Sequence, residues 1–449
     1  MKKRMMSLIL TGALAAGMLA GCGSTETGDV SKNSETDAVA QESETADDNS
    51  EEDVTLTVWC WDPAYNINAM QVAEEIYQKD HPNFHLDIQE INAQDIFTKI
   101  ATATASGDLS TMPDIFLMDD ANIAAGIMAY PEIFADLSDY GFNYDDFGQS
   151  KVAASMSDGK HYGIPFDSGT AIAAYRTDVL KKAGYSIEDL TDITWDEFIT
   201  IGADVLEKTG TPLLNGMGAG NQIALMLKSA GVTYTDADGT PNLNGNDAIK
   251  EVVDVYTRLV QAGIFTEETG WDTYIGGMNT GRVGGAMNGC WIISSIIAAD
   301  DQSGEWAITN IPKLDGIEGA TNYSSQGGSS WIITSNCKNV ETAVDFFNTT
   351  YAGSTEFYDE ILPSGAISTW LPAAESEKYN EPVAYFSDQP IYAMITEYSA
   401  SVPATTTSPV AGYANQDLVN AVTNVLYNGY TVQDALDAAQ ENLLFELEQ

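Results

Sequence analysis

Between Val54 and Asp120 the apolar residues alternate between two periods, and that alternation restricts the possible folds more than any other feature. Val54, Leu56 and Val58 alternate with Thr55 and Thr57, the two-residue period of a strand. Ala69, Val72, Ala73 and Ile76 keep helical spacing up to His81-Pro82, and a proline ends such a run. Phe84, Leu86 and Ile88 alternate again, a helix is predicted from Asp95 to Ala105 with Gly107 stopping it, and Pro113 to Met118 reads as a third, buried strand. Strand, helix, strand, helix, strand is the order of an α/β unit with a parallel sheet. Ligands of such sheets gather beyond the carboxyl ends of the strands. Here those ends carry Trp61-Asp62 and Asp119-Asp120.

A second informative stretch is Asp158 to Asp178. It opens with an Asp158-Gly159 turn and continues as an extended run, Tyr162 to Phe166. Pro165 lacks an amide donor, so this run is expected at a sheet edge or in a connector. Asp167-Ser168-Gly169 can bend sharply before the next apolar run, Ala171 to Tyr175. A lone carboxylate there is either a solvated loop residue or a ligand contact where the chain crosses between bodies. Further on, Thr194 and Glu197 form a capping box. Ile249, Val252, Val253, Tyr256, Leu259 and Val260 mark an amphipathic helix that Gly263 stops. Asp236 to Gly239 reads as a solvated hairpin; its glycine is misplaced for a calcium loop. Gly276 to Val283 lacks the lysine and hydroxyl of a phosphate loop and reads as a helix end before a strand at Val283 to Met287. Strands are also expected at Trp306 to Ile311 and at Ile332-Ile333, and helices at Asp417 to Tyr427 and Thr431 to Leu447.

The chain is 449 residues long, too long for one ordinary core, so two or three domains are expected. Its 66 acidic and 19 basic side chains leave a net charge of −47. That charge excludes electrostatic capture of nucleic acid or anionic membrane. At the N-terminus Lys2-Lys3-Arg4 precedes an apolar stretch from Met5 to Met18 that is short for a spanning helix and suits a signal peptide. Leu19-Ala20-Gly21-Cys22 resembles the bacterial lipoprotein processing site, which implies a lipid on Cys22. Residues 23–53 are acidic and almost free of large apolar side chains, a composition that does not fold and serves as a tether. The remaining Cys60, Cys290 and Cys337 lie in apolar runs and read as buried thiols, neither a disulfide framework nor a zinc site.

No HExxH, GxSxG or strand-borne GxGxxG occurs, and His81, His85 and His161 have no ligand spacing. Paired carboxylates for glycoside hydrolysis remain open, because their separation is spatial. What the sequence does offer is tryptophan and aspartate near strand ends: Trp59, Trp61, Trp291 and Trp331 each follow or adjoin a strand-like run. Flat rings beside carboxylates suit a sugar, since a ring stacks on its C–H face and a carboxylate accepts from its hydroxyls.

These elements resemble the solute-binding lipoproteins of ABC importers, in the maltose-binding-like carbohydrate group of family 1. The resemblance is carried by Trp59-Cys60-Trp61-Asp62, by Ser106-Gly107 with Met112-Pro113-Asp114-Ile115, and by Gly159-Lys160 with Tyr162 to Asp167. It continues in Tyr175 to Asp178, Thr194 to Phe198, Gly281-Arg282-Val283 with Gly289 and Trp291, and Gly327-Gly328 with Trp331. It implies a two-lobe α/β fold, each lobe a mostly parallel sheet flanked by helices, with ligand in the cleft. The implied layout is a signal peptide at 1–21, a tether at 22–53, a first lobe at 54–166 and 311–357, and a second at 167–310 and 358–449. It implies Trp61, Asp62, Asp119, Asp167, Trp291 and Trp331 as cleft residues, with Tyr65, Asp120, Asn122 and Trp271 as lesser candidates. The implied function is a non-enzymatic receptor, without metal or cofactor, anchored on the outer face of the cytoplasmic membrane. It would bind a carbohydrate and deliver it to a permease. A peptide or polyamine ligand, or an anchored glycosidase, are the alternatives.

Overall fold

The computed structural model describes residues 53–236, 238–403 and 410–448, without the side chains of 149 and 150. The signal peptide, Cys22 and the tether lie outside the described residues. In chain order the strands are β1 (Val54–Cys60), β2 (Phe84–Glu90), β3 (Ile115–Asp119), a small hairpin of β4 (Met156–Ser157) and β5 (Lys160–His161), β6 (Ile164–Asp167) and β7 (Ala171–Arg176). They continue with β8 (Leu214–Gly216), β9 (Phe265–Glu267), β10 (Gly285–Gly289), β11 (Trp306–Thr309) and β12 (Ser329–Ile333).

The first sheet has the order β2-β1-β3-β12-β6. Strands β1, β2 and β3 are parallel, as the alternating sequence predicts, with Val54 opposite Phe84 and Val58 opposite Ile115. Pro165 does place β6 at the edge. There Asp167 opposes Ser329 and Pro165 opposes Ser330, so a bulge absorbs Phe166. Strand β12 runs antiparallel to both β3 and β6. Both faces of this sheet are covered. Leu56, Val58, Leu117 and Trp331 pack on one side, and Trp59, Phe116 and Ile332 on the other, following the two-residue alternation of strands.

The second body is built on β7, flanked by β10 and β11. Both flanking strands are antiparallel to β7, with Ala171 opposite Gly289 and Trp306 opposite Arg176. The short β8–β9 pair beside them is parallel. The expectation of a mostly parallel sheet in each lobe is therefore corrected here. Strand β7 runs outward from the crossing at Gly169, and β10 and β11 both run back toward it. Helix Asp247–Gln261 buries Ile249, Val252, Val253, Tyr256 and Leu259 against this body, and helices Ala411–Tyr427 and Val432–Leu447 add Leu418, Val422, Leu436 and Leu443. The Thr194–Glu197 capping box forms, with the Thr194 amide donating to Glu197 Oε2 at 2.8 Å.

The crossings differ in place from the implied layout. Ile311 and Leu314 pack in the core of the second body, so the chain re-enters the first sheet only at Gln326–Ser329. Tyr358 is buried in the first core, whereas Leu362 and Ile367 join the second and Trp370 and Ala373 the first again. Cys60, Cys290 and Cys337 are buried and unpaired.

Candidate functional site

Three strand ends meet where the chain crosses between the bodies. Ser329 at the start of β12 lies opposite Asp119 of β3 on one side and Asp167 of β6 on the other. The crossing is close-packed. Gly169 sits at φ +61°, and a Cβ there would meet the Gly328 amide nitrogen at 2.5 Å. Beside it the Gln326 amide donates to the Gly169 carbonyl at 2.7 Å. A side chain at Gly169 would push the two crossing segments apart.

The three aspartates gathered here have different environments. Asp167 is buried and accepts from both the Ser329 amide, at 2.9 Å, and the Ser329 hydroxyl. Burial raises its acid, against the pull of Lys151. Asp120 accepts from the Lys151 ammonium and, at 2.9 Å, from the Ser330 hydroxyl. Lys151 also donates to the Ser329 carbonyl and is only 8% exposed, so Asp120 belongs to an ion pair that fastens β12 to the helix beginning at Asp120. The carboxylate of Asp119 has no hydrogen bond or ion pair among the described residues. Burial, then the charges of Asp167 and Asp120, raise its acid to about 6, with Lys151 and Lys228 pulling the other way.

The β1 end supplies the next group. Asn66 Oδ1 accepts from the Trp61 and Asp62 amides at 3.1 and 3.0 Å, and Asp62 Oδ1 accepts from the Ala64 amide at 2.9 Å. These bonds fix the single π-helical turn Pro63–Ile67 and hold Trp61 and Asp62 half-exposed. Burial raises the Asp62 acid. Tyr65, in that turn, is 5% exposed, and its hydroxyl points toward the Asp167 carboxylate, with Cys290 nearby. Asn122 is half-buried on the helix after β3.

From the second body, Trp291 follows β10 and donates its indole N–H to the Gln326 carbonyl at 3.0 Å. It packs against the cores of both bodies. The Trp271 ring lies 5.9 Å from it and is 38% exposed. Lys228, in the last turn of helix Ala219–Ser229, is half-buried and within reach of the charges of Asp120 and Asp119.

Trp331 requires correction as a cleft residue. It is fully buried, with its ring 5.7 Å from Phe166 and 6.4 Å from Phe347. It sits on the face of β12 that packs into the first core, so it supports the crossing from beneath. Asn66, Lys151 and Lys228 carry no distinguishing pattern in the sequence. The structure brings Asp119, Asp120, Asp167 and Tyr65 together, with Lys228 near Asp120 and Asp119, and sets the Trp271 ring at a tilt beside Trp291.

Residues 73–387 match the family model of the bacterial extracellular solute-binding proteins. The chain belongs to this family. Membership makes it an extracytoplasmic binding protein. It is 35% identical to the lactose-binding protein of Rhizobium radiobacter over 86% of this chain and 91% of that one. It is 27% identical to the arabinooligosaccharide-binding protein of Bacillus subtilis over 45% of this chain and 47% of that one. Among solved structures, the transporter-associated binding protein of B. animalis subsp. lactis, determined with β-1,6-galactobiose, aligns with a TM-score of 0.71 at 20% identity. The alignment covers 87% of this chain and 96% of that one. The GacH receptor of Streptomyces glaucescens aligns with a TM-score of 0.71 at 18% identity, over 86% and 97% of the two chains. These likenesses place the chain in the two-lobe binding-protein fold.

Proposed function

We propose that this family member is a carbohydrate receptor that grips an oligosaccharide between its two bodies and hands it to an ABC importer. One observation carries the reading. The Asp119 carboxylate, without a hydrogen bond or ion pair among the described residues, lies at the crossing to which Trp291 of the other body is bonded, with Trp271 5.9 Å from that ring, and the half-exposed Trp61-Asp62 turn follows β1 in the same sheet as Asp119. Carboxylates accept from hydroxyls while indole faces take the apolar side of a sugar ring. The lactose and arabinooligosaccharide specificities named for the relatives support the same ligand class. Asp62 and Asp119, with Trp61, Trp291 and, at the edge, Trp271, are the contacts we assign; Asp167, expected as a contact from the sequence, is buried and taken up by Ser329, and supports the crossing. The hinge is assigned to the crossings at Asp167–Gly169 and Gln326–Ser329 and to the segment 361–373. Closure about it requires that the closed form bind ligand more tightly than the open one. A lipid on Cys22 and the acidic tether would hold the receptor at the outer face of the membrane, beside its permease.

Calorimetry with lactose, β-1,6-galactobiose and an arabinooligosaccharide tests the reading, with spermidine as a cationic control. At least one sugar is expected to bind, unchanged on recovery, and Trp291→Ala to weaken it at least about tenfold, the order of 1.4 kcal/mol. Binding of spermidine alone, or recovery of cleaved sugar, would overturn it.

A further inference from the structure

We propose that Lys228 and Asp119 hold one ligand hydroxyl between them, across the gap between the bodies, and so restrict the site to neutral, hydroxyl-rich solutes. This deepens the carbohydrate reading and rests on it.

The two residues come from different bodies, and backbone bonds bring them to one place. At the end of helix Ala219–Ser229, the Ser229 carbonyl accepts from the Thr321 amide at 2.8 Å and the Leu225 carbonyl from the Ser324 hydroxyl at 2.7 Å. A few residues on, the Gly328 carbonyl accepts from the Asp120 amide at 2.9 Å, and Ser329 pairs with Asp119. One short segment thus ties the helix end that carries Lys228 to the strand end that carries Asp119.

Both side chains are half-buried. Neither makes a hydrogen bond or an ion pair within 4.0 Å among the described residues. Each is close enough to feel the other's charge, and burial works against the charged form of both. The other nearby cation, Lys151, is occupied by Asp120 and the Ser329 carbonyl. An ionised carboxylate only accepts hydrogen bonds and an ammonium only donates them. The group that satisfies both at once donates to one and accepts from the other, as a hydroxyl does. A ligand ammonium would suit Asp119 but meet Lys228 as a like charge, and a ligand carboxylate would meet Asp119 in the same way.

The test uses whichever of lactose, β-1,6-galactobiose or arabinooligosaccharide binds the unsubstituted protein. Lys228→Met and Asp119→Asn are each expected to weaken that sugar about 10- to 100-fold, the span of a charge-assisted hydrogen bond. The double variant is expected to be scarcely weaker than the worse single one, because both substitutions remove the same bridge. Far-ultraviolet circular dichroism checks that the variants fold. Sugar binding that survives both substitutions, or losses that simply multiply in the double variant, overturns the bridge and leaves the carbohydrate reading standing. Failure of every sugar to bind the unsubstituted protein overturns both.

Discussion

Replacing Asp119 with asparagine tests the electrostatics of the crossing while keeping its shape. Burial, then the charges of Asp167 and Asp120, raise its acid from 3.8 to about 6, against the pull of Lys151 and Lys228, which also face it. The folded protein therefore holds this proton more tightly than the unfolded chain does. The stability that follows is fully present below the unfolded value and is lost as the pH rises through about 6. A shift of roughly two units at about 1.4 kcal/mol each gives roughly 3 kcal/mol. Asp119 is partly exposed, and solvent screening brings that to about 1–2 kcal/mol. D119N carries no charge at any pH, so at pH 7.5 it should be more stable than the parent by that amount. For a body of roughly 400 residues the gain is about 2 °C in Tm. Urea denaturation followed by tryptophan fluorescence at pH 7.5 and pH 4 provides the assay. The two proteins should differ at pH 7.5 and converge at pH 4. An absence of gain at pH 7.5 would refute the argument, and so would an equal gain at both pH values, which would assign the effect to something other than charge. The same substitution is expected to weaken sugar binding, so stability and affinity should move in opposite directions.

Two further substitutions separate support from contact. Trp331→Ala should cost about 3–5 kcal/mol in urea denaturation, because it empties a fully buried position; a loss below about 1 kcal/mol would show that the ring is not part of the core. Asp167→Ala should lower both affinity and stability, the latter by about 1–3 kcal/mol, because the Ser329 amide and hydroxyl lose their buried acceptor. An unchanged urea midpoint would make Asp167 a ligand contact alone.

Much of the first body was legible because its signals are local. The period changes between Val54 and Asp119 fix three strands and two helices, and Pro165 dictates an edge. The Thr194 capping box and the apolar stripe of Asp247–Gln261 depend only on near neighbours in sequence. Trp331 was not legible, because both faces of its strand are covered and both are apolar. Alternation then says that Trp331 and Ile332 face opposite ways without saying which way leads to the cleft. The antiparallel pairing of β7 with β10 and β11 was hidden for a related reason. A strand's composition does not record its direction. Lys151 and Lys228 look in sequence like the polar residues of amphipathic helices, and only the approach of distant strand ends surrounds them with carboxylates.

Asp119 and Asp120 show most clearly what tertiary structure adds. They are neighbours of the same chemistry, yet among the described residues one side chain is paired to Lys151 and Ser330 and the other has no hydrogen bond or ion pair. A half-buried charge without a partner costs stability, and burial accordingly raises the acid of Asp119. Folding satisfies the groups that hold the crossing together, Asp167 with Ser329 and Asp120 with Lys151, and among the described residues leaves the Asp119 and Lys228 side chains without a hydrogen bond or ion pair. A ligand whose hydroxyl completes both gains interaction energy that the contacts among these residues do not supply. Because Asp119 and Lys228 belong to different bodies, that gain is realised only when both bodies engage the ligand together. The same pair that selects the solute therefore also biases the hinge toward its closed form.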